Sequence, residues 1–110
     1  TAFSYRKLCI ANVLLQNNPD ALFVSTNQDA FDLVGSDARH LPGNGALVKA
    51  LEHCSQRKAI DVGKPSKVLA ELITELHDLD PSRTMMIGDR LDTDIRFGND
   101  SHMVSLLVLT

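Results

Sequence analysis

The chain of 110 residues has no tryptophan, one tyrosine and four phenylalanines, so only 5% of it is aromatic. Its two cysteines are too few for a disulfide scaffold. Six glycines and four prolines exclude a collagen-like or low-complexity chain. Neither sign of charge dominates, and the net charge is -3. Nucleic-acid binding calls for clustered Lys and Arg, so no nucleic-acid partner is expected. No apolar run approaches the ~20 residues that cross a bilayer, so no membrane partner is expected either. The opening Thr1-Ala2-Phe3-Ser4-Tyr5-Arg6-Lys7 carries no apolar leader and no initiating Met. A trimmed or partial chain in the cytoplasm is the expectation. Cys9 and Cys54 are then expected to be reduced, packed thiols. What is present is a 44% hydrophobic content with modest charge, which excludes disorder and suits a folded domain of ordinary size.

Apolar periodicity predicts a helix over Tyr5 to Leu15 with Ser4 as its N-cap. Ala21 to Ser25 is a short apolar run expected to be a strand. Residues 26–44 are polar and carry Gly35, Pro42 and Gly43, which reads as a long, functional loop. Leu47, Ala50, Leu51 and Cys54 mark an amphipathic helix over Gly45 to Cys54. Ala59 to Val62 is a weak strand, and Ser66 can cap a helix whose apolar face is Val68, Leu69, Leu72, Ile73 and Leu76. Thr84 to Ile87 is a strand, Thr93 to Asn99 a short helix, and Val104 to Leu109 a strand expected to be covered on both faces. Strands alternating with helices indicate an α/β fold with parallel pairing.

The segment Gly88-Asp89-Arg90-Leu91-Asp92-Thr93-Asp94 carries the most chemistry. An apolar strand delivers Asp89 at its carboxyl end, where ligands bind in open parallel sheets. Three acids within six positions repel one another unless a cation or hydrogen bonds offset them. Mg²⁺ is the natural cation, because it takes hard oxygens and often uses one or two carboxylates beside a phosphate. Asp92 is assigned to capping or solvent, and Gly88 to a tight backbone turn. Lys64, pinned between Gly63 and Pro65, is placed to hold an ammonium at a phosphate or an acidic nucleophile. It does not belong to a Walker A loop, since Lys58 stands where the first glycine belongs and Pro65 replaces the Ser or Thr. Gly43-Asn44-Gly45 lacks the third glycine of a dinucleotide fingerprint and serves the turn into a helix. The four dispersed histidines are read as surface or packing residues.

Lys64 and the Gly88–Ile95 segment together make the chain resemble the haloacid dehalogenase superfamily of phosphatases. The nearest branch has a large α/β cap and includes 4-nitrophenylphosphatase, phosphoglycolate phosphatase and pyridoxal phosphatase relatives. The matching stretches are ALFVSTNQD (21–29), LPGNGALVKAL (41–51), VGKPS (62–66), MIGDRLDTDIRFG (86–98) and SLLVLT (105–110). The resemblance implies a Rossmann-like core and a Mg²⁺-dependent phosphate monoester hydrolase working through an aspartyl-phosphate on a small phosphorylated metabolite. It implies that Lys64 is catalytic and contacts the substrate, neutralising the transferring phosphoryl group. It also implies that Asp89 and Asp94 serve the metal and that Asp32, in the Thr26–Val34 segment, faces the substrate. A homodimer through the cap is implied as well.

The family's amino-terminal Asp-x-Asp and its second-motif Ser or Thr have no counterpart here. Residues 1–58 are therefore expected to be the second half of the cap, and residues 59–110 the carboxyl-terminal part of the core. Such a piece should be inactive alone and prone to self-association through open strand edges. The alternative is a non-catalytic α/β binding or oligomerisation module derived from that fold. A phosphoacceptor receiver domain fails on order, because there the acids precede the lysine.

Overall fold

The computed structural model describes residues 3–109. They fall into two compact units, Thr1–Asp61 and Val62–Thr110. The sequence places its own boundary three residues earlier, after Lys58. No helix among the described residues is long and apolar enough to cross a membrane.

In the first unit, helix α1 (Tyr5–Asn17) begins at Ser4, whose hydroxyl accepts from the Lys7 amide at 3.4 Å. Capping of this kind satisfies one of the orphan donors of a first turn. Strand β1 (Val24–Ser25) pairs in parallel with β4 (Ile60–Asp61). Between them lie the hairpin β2 (Phe31–Val34) and β3 (Arg39–Pro42) and the helix α2 (Asn44–Ser55). Leu15 of α1 and Val48 of α2 are buried, and the two helices pack together. The Arg57 guanidinium donates to the carbonyls of Leu15 at 3.0 Å, Asn18 at 3.1 Å and Ala21. One fork thus satisfies carbonyls at the end of α1 and fixes the chain's approach to β1.

The segment expected to be a long loop holds this hairpin. Phe31 stacks on His40 with ring centroids 3.9 Å apart, and Gly35 at φ 80 with Ala38 at φ 52 closes the turn. The Gly, Ser and Asp of the turn masked the short apolar stretches on either side. Gly43 and Gly45 lead into α2 as expected, and for a steric reason. A Cβ at Gly43 would run into the Asp29 carbonyl, and one at Gly45 into that of Gln28.

In the second unit, helix α3 (Lys67–His77) is capped by Ser66, which accepts from the Val68 amide at 3.3 Å. A 3₁₀ turn (Pro81–Arg83) leads into β5 (Met85–Gly88), which pairs in parallel with β6 (Val104–Leu107). A π-helical turn (Leu91–Ile95) and the short α4 (Arg96–Asp100) connect the two strands. Ala70, Phe97 and Met103 form the core, with Leu69, Ile73 and Met86 against it. The parallel α/β character matches the expectation, while the four alternating strands become three two-stranded sheets.

Three burial expectations are corrected. Val104, Leu106, Leu107 and Val108 are exposed, because α4 covers only one face of the β5–β6 pair. Val68, Leu72 and Leu76 are also exposed, since α3 turns Leu69, Ala70 and Ile73 inward instead. Cys54 is an exposed free thiol and Cys9 a half-buried one, so only Cys9 approaches the packed state.

Glu52, near the end of α2, is buried at 7% exposure. It accepts from Lys49 Nζ at 2.8 Å and from the Ala59 amide at 3.0 Å, with Lys58 Nζ 3.5 Å away. The Lys49 hydrogen bond, then that of Ala59, holds its carboxyl down from 4.5 to about 2. A depressed carboxyl stabilises the fold above its unfolded pKa and loses that contribution as pH falls through the folded value. Stability should therefore fall between about pH 4.5 and 2. Glu52→Gln should flatten that limb in acid titrations of the urea midpoint.

Candidate active site

Strand β5 ends at Gly88 and delivers Asp89, which is exposed, at its carboxyl end. The chain then widens into the π-helical turn. Such turns are uncommon and are frequent at functional sites. Here the turn carries Asp94 back over the strand end, where it is 5% exposed.

Asp94 Oδ1 accepts from Lys64 Nζ at 2.7 Å, and Oδ2 accepts from the Arg90 amide at 3.2 Å. Burial pushes this carboxyl up. The Lys64 hydrogen bond, the Arg90 amide, the Lys64 charge and the Asp89 amide outweigh burial and hold it below the usual carboxylate range. Asp94 is thus a charged group in a nearly closed setting, with its oxygens spoken for on both sides. The Lys64 side chain remains 44% exposed, so the pair is anchored at Asp94 and reached by solvent along the lysine.

Gly88 is required by close approach. A Cβ there would occupy the space of Asp94 Cβ, Cγ and Oδ2. The expected role in a tight turn is replaced by this contact, and Gly35 is the glycine with positive φ among those described. Asp92 receives both Nε and Nη2 of Arg90, at 3.3 and 3.0 Å. That guanidinium fork, more than any other contact, holds the Asp92 carboxyl below its usual range. No side chain caps the turn, so the capping expectation is corrected, while the 70% exposure of the Asp92 side chain agrees with its assignment to solvent.

The structure therefore brings Lys64, Asp89 and Asp94 into one arrangement. Asp32 lies on the exposed strand β2, opposite Leu41, in the other unit. Among the described residues, no group of three or more His, Cys, Asp or Glu side chains gathers around a possible metal position. Two features escaped the sequence. The Lys64–Asp94 pair spans 30 residues and leaves no local signal. The Arg90–Asp92 pair had an available clue in the charges two positions apart.

A lysine thus bonds a buried aspartate next to Asp89 at the carboxyl end of a parallel strand. Residues 61–110 match the HAD-hydrolase-like family model. The chain belongs to the haloacid dehalogenase-like hydrolases. Within them, it is 49% identical over 109 residues to the glycerol-3-phosphate phosphatase of Gallus gallus, covering 98% of this chain and 34% of that protein. The 4-nitrophenylphosphatase of Thermotoga maritima matches in structure with a TM-score of 0.80 and 30% identity, over 100% of this chain and 41% of that one. A glycerol phosphate phosphatase from Mycobacterium tuberculosis, in complex with magnesium, matches with a TM-score of 0.77 and 30% identity, over 99% and 31%. The chain thus spans about a third of the length of the curated relatives it matches.

Replacing Lys64 by Met should leave Asp94 without its cation while burial persists, so the carboxyl should titrate upward. In wild type its contribution is present above the unfolded pKa and lost as pH falls through the lower folded value. In the variant the folded value moves toward or past the unfolded one, so this acid loss should shrink or reverse, read as a flatter acid limb of the urea midpoint across a pH series. Gly88→Ala should displace Asp94 and destabilise by about 1–3 kcal/mol, the usual range for overpacking.

Proposed function

We propose that these residues are the carboxyl-terminal part of the phosphoryl-transfer site of a phosphate monoester hydrolase acting on a small phosphorylated metabolite. The observation that carries the reading is the 2.7 Å bond from Lys64 to the buried Asp94, beside Asp89 at the end of β5. Asp94 holds the Lys64 ammonium in a fixed position, and that ammonium can stabilise negative charge on a transferring phosphoryl group. A preset donor of this kind needs no reorganisation during the reaction.

Two carboxylates suit Mg²⁺, which takes the rest of its ligands from water and phosphate oxygens. Asp89, exposed at the end of β5, would be the carboxylate to ligate it directly. Asp94, whose oxygens already take Lys64 and the Arg90 amide, fits a place one bond further out, orienting the site. When bound, Mg²⁺ supplies charge neutralisation that lets an anionic nucleophile approach the phosphate. The resemblance supports an aspartyl-phosphate route, with the nucleophile outside these 110 residues. It also supports residues 1–58 as cap, Asp32 as a substrate-facing residue there, and a homodimer through that part.

The parent reading frame should hydrolyse members of a panel of 4-nitrophenyl phosphate, glycerol phosphate, phosphoglycolate and pyridoxal phosphate in the presence of Mg²⁺. Asp89→Asn and Lys64→Met should each lower kcat by ~10²-fold or more, the scale of losing one preorganised electrostatic group. Wild-type activity that survives both changes would favour a non-catalytic role for this segment. The pure 110-residue chain should show no Mg²⁺-dependent turnover in the same assay, and measurable turnover would place the nucleophile within it.

A further inference from the structure

We propose that the Arg90–Asp92 ion pair is a positioning device for Asp94, and through it for Lys64. The proposal rests on the reading of Lys64 and Asp94 as active-site groups. Arg90 meets Asp94 at both ends of its own backbone. Its amide donates to Asp94 Oδ2 at 3.2 Å, and its carbonyl accepts from the amides of Asp94 at 3.0 Å and Ile95 at 3.1 Å. The residue is extended, at φ -110 and ψ 127, and no side chain caps the turn that starts after it. The turn's amides hold the Arg90 carbonyl, and the Asp94 carboxylate takes its amide.

The guanidinium supplies a restraint. It reaches forward two residues and takes both Asp92 oxygens, at 3.3 and 3.0 Å. A planar fork on a carboxylate fixes orientation as well as distance, which a lysine could not do. Asp92 is itself the second residue of the turn Leu91–Ile95, so the fork ties Arg90 to the turn's first residues. The ring so closed runs through Arg90, Leu91 and Asp92, and it aims the Arg90 amide at Asp94. With side chains 41% and 70% exposed, the pair contributes little to global stability. Its effect is expected in the local order of the π-helical turn.

Asp92→Asn tests this in the 110-residue chain. It removes the charge while keeping the size and shape of the side chain. Asp92 does not neighbour the Arg90 amide in sequence, so the intrinsic exchange rate of that amide is unchanged. Hydrogen exchange at the Arg90 amide should quicken ~2- to 5-fold, the scale of an exposed ion pair, while amides of α3 keep their rates. In the parent reading frame the same variant should lower kcat ~2- to 5-fold with KM unchanged. Unchanged exchange at Arg90 would overturn the proposal, and so would equal acceleration in α3, which marks general loosening. A wild-type parent without phosphatase activity would count against the functional reading alone, because the exchange result still decides what the pair does.

Discussion

Burying a carboxylate is costly unless every oxygen finds a donor, and the second unit is arranged around meeting that demand at Asp94. Lys64 answers one oxygen, and the Arg90 amide answers the other. Several otherwise unrelated features follow from it. Gly88 must lack a side chain because Asp94 lies against it. The turn after β5 must be wide because Asp94 has to return over the strand end. The Lys64 turn must come close although it lies 30 residues earlier. A pair of this kind is weak evidence for stability, since apolar replacements of buried pairs are often neutral. Its presence is easier to understand as a way of holding an ammonium still.

That ammonium is the link to chemistry. A lysine buried with its partner would be a structural salt bridge, and a lysine fully in solvent would carry its charge on a mobile stem. Lys64 lies between these cases, bonded to Asp94 and reached by solvent along its side chain. Phosphoryl transfer asks for this combination, because the protein contributes mainly position and charge. Membership of the haloacid dehalogenase-like hydrolases agrees with the arrangement.

The fold was legible wherever one face was clearly apolar or a cap residue stood in place. Ser4 and Ser66 marked their helices, and MMIG and VSLL marked the parallel pair. The hairpin was not legible, because Phe31 to Val34 is short and a turn rich in Gly, Ser and Asp separates it from its partner. Exposure was also misjudged. Leu72, Leu76 and Leu106 look like core residues by type, yet two-stranded sheets leave a face open. At the site, Lys64, Asp89 and Asp94 could be named from their motifs. Their contacts could not, because a 30-residue separation carries no periodic signal. The reason for Gly88 was hidden likewise, since it depends on which side chain lies above it.

Lys64 and Asp94 are proposed to act as one unit in phosphoryl transfer. A double-mutant cycle on kcat/KM of the parent reading frame tests it most directly, using Lys64→Met, Asp94→Asn and the pair together. If they do, the double variant loses little more than the more damaged single variant. Losses that multiply would show that the two residues work independently, and would contradict it.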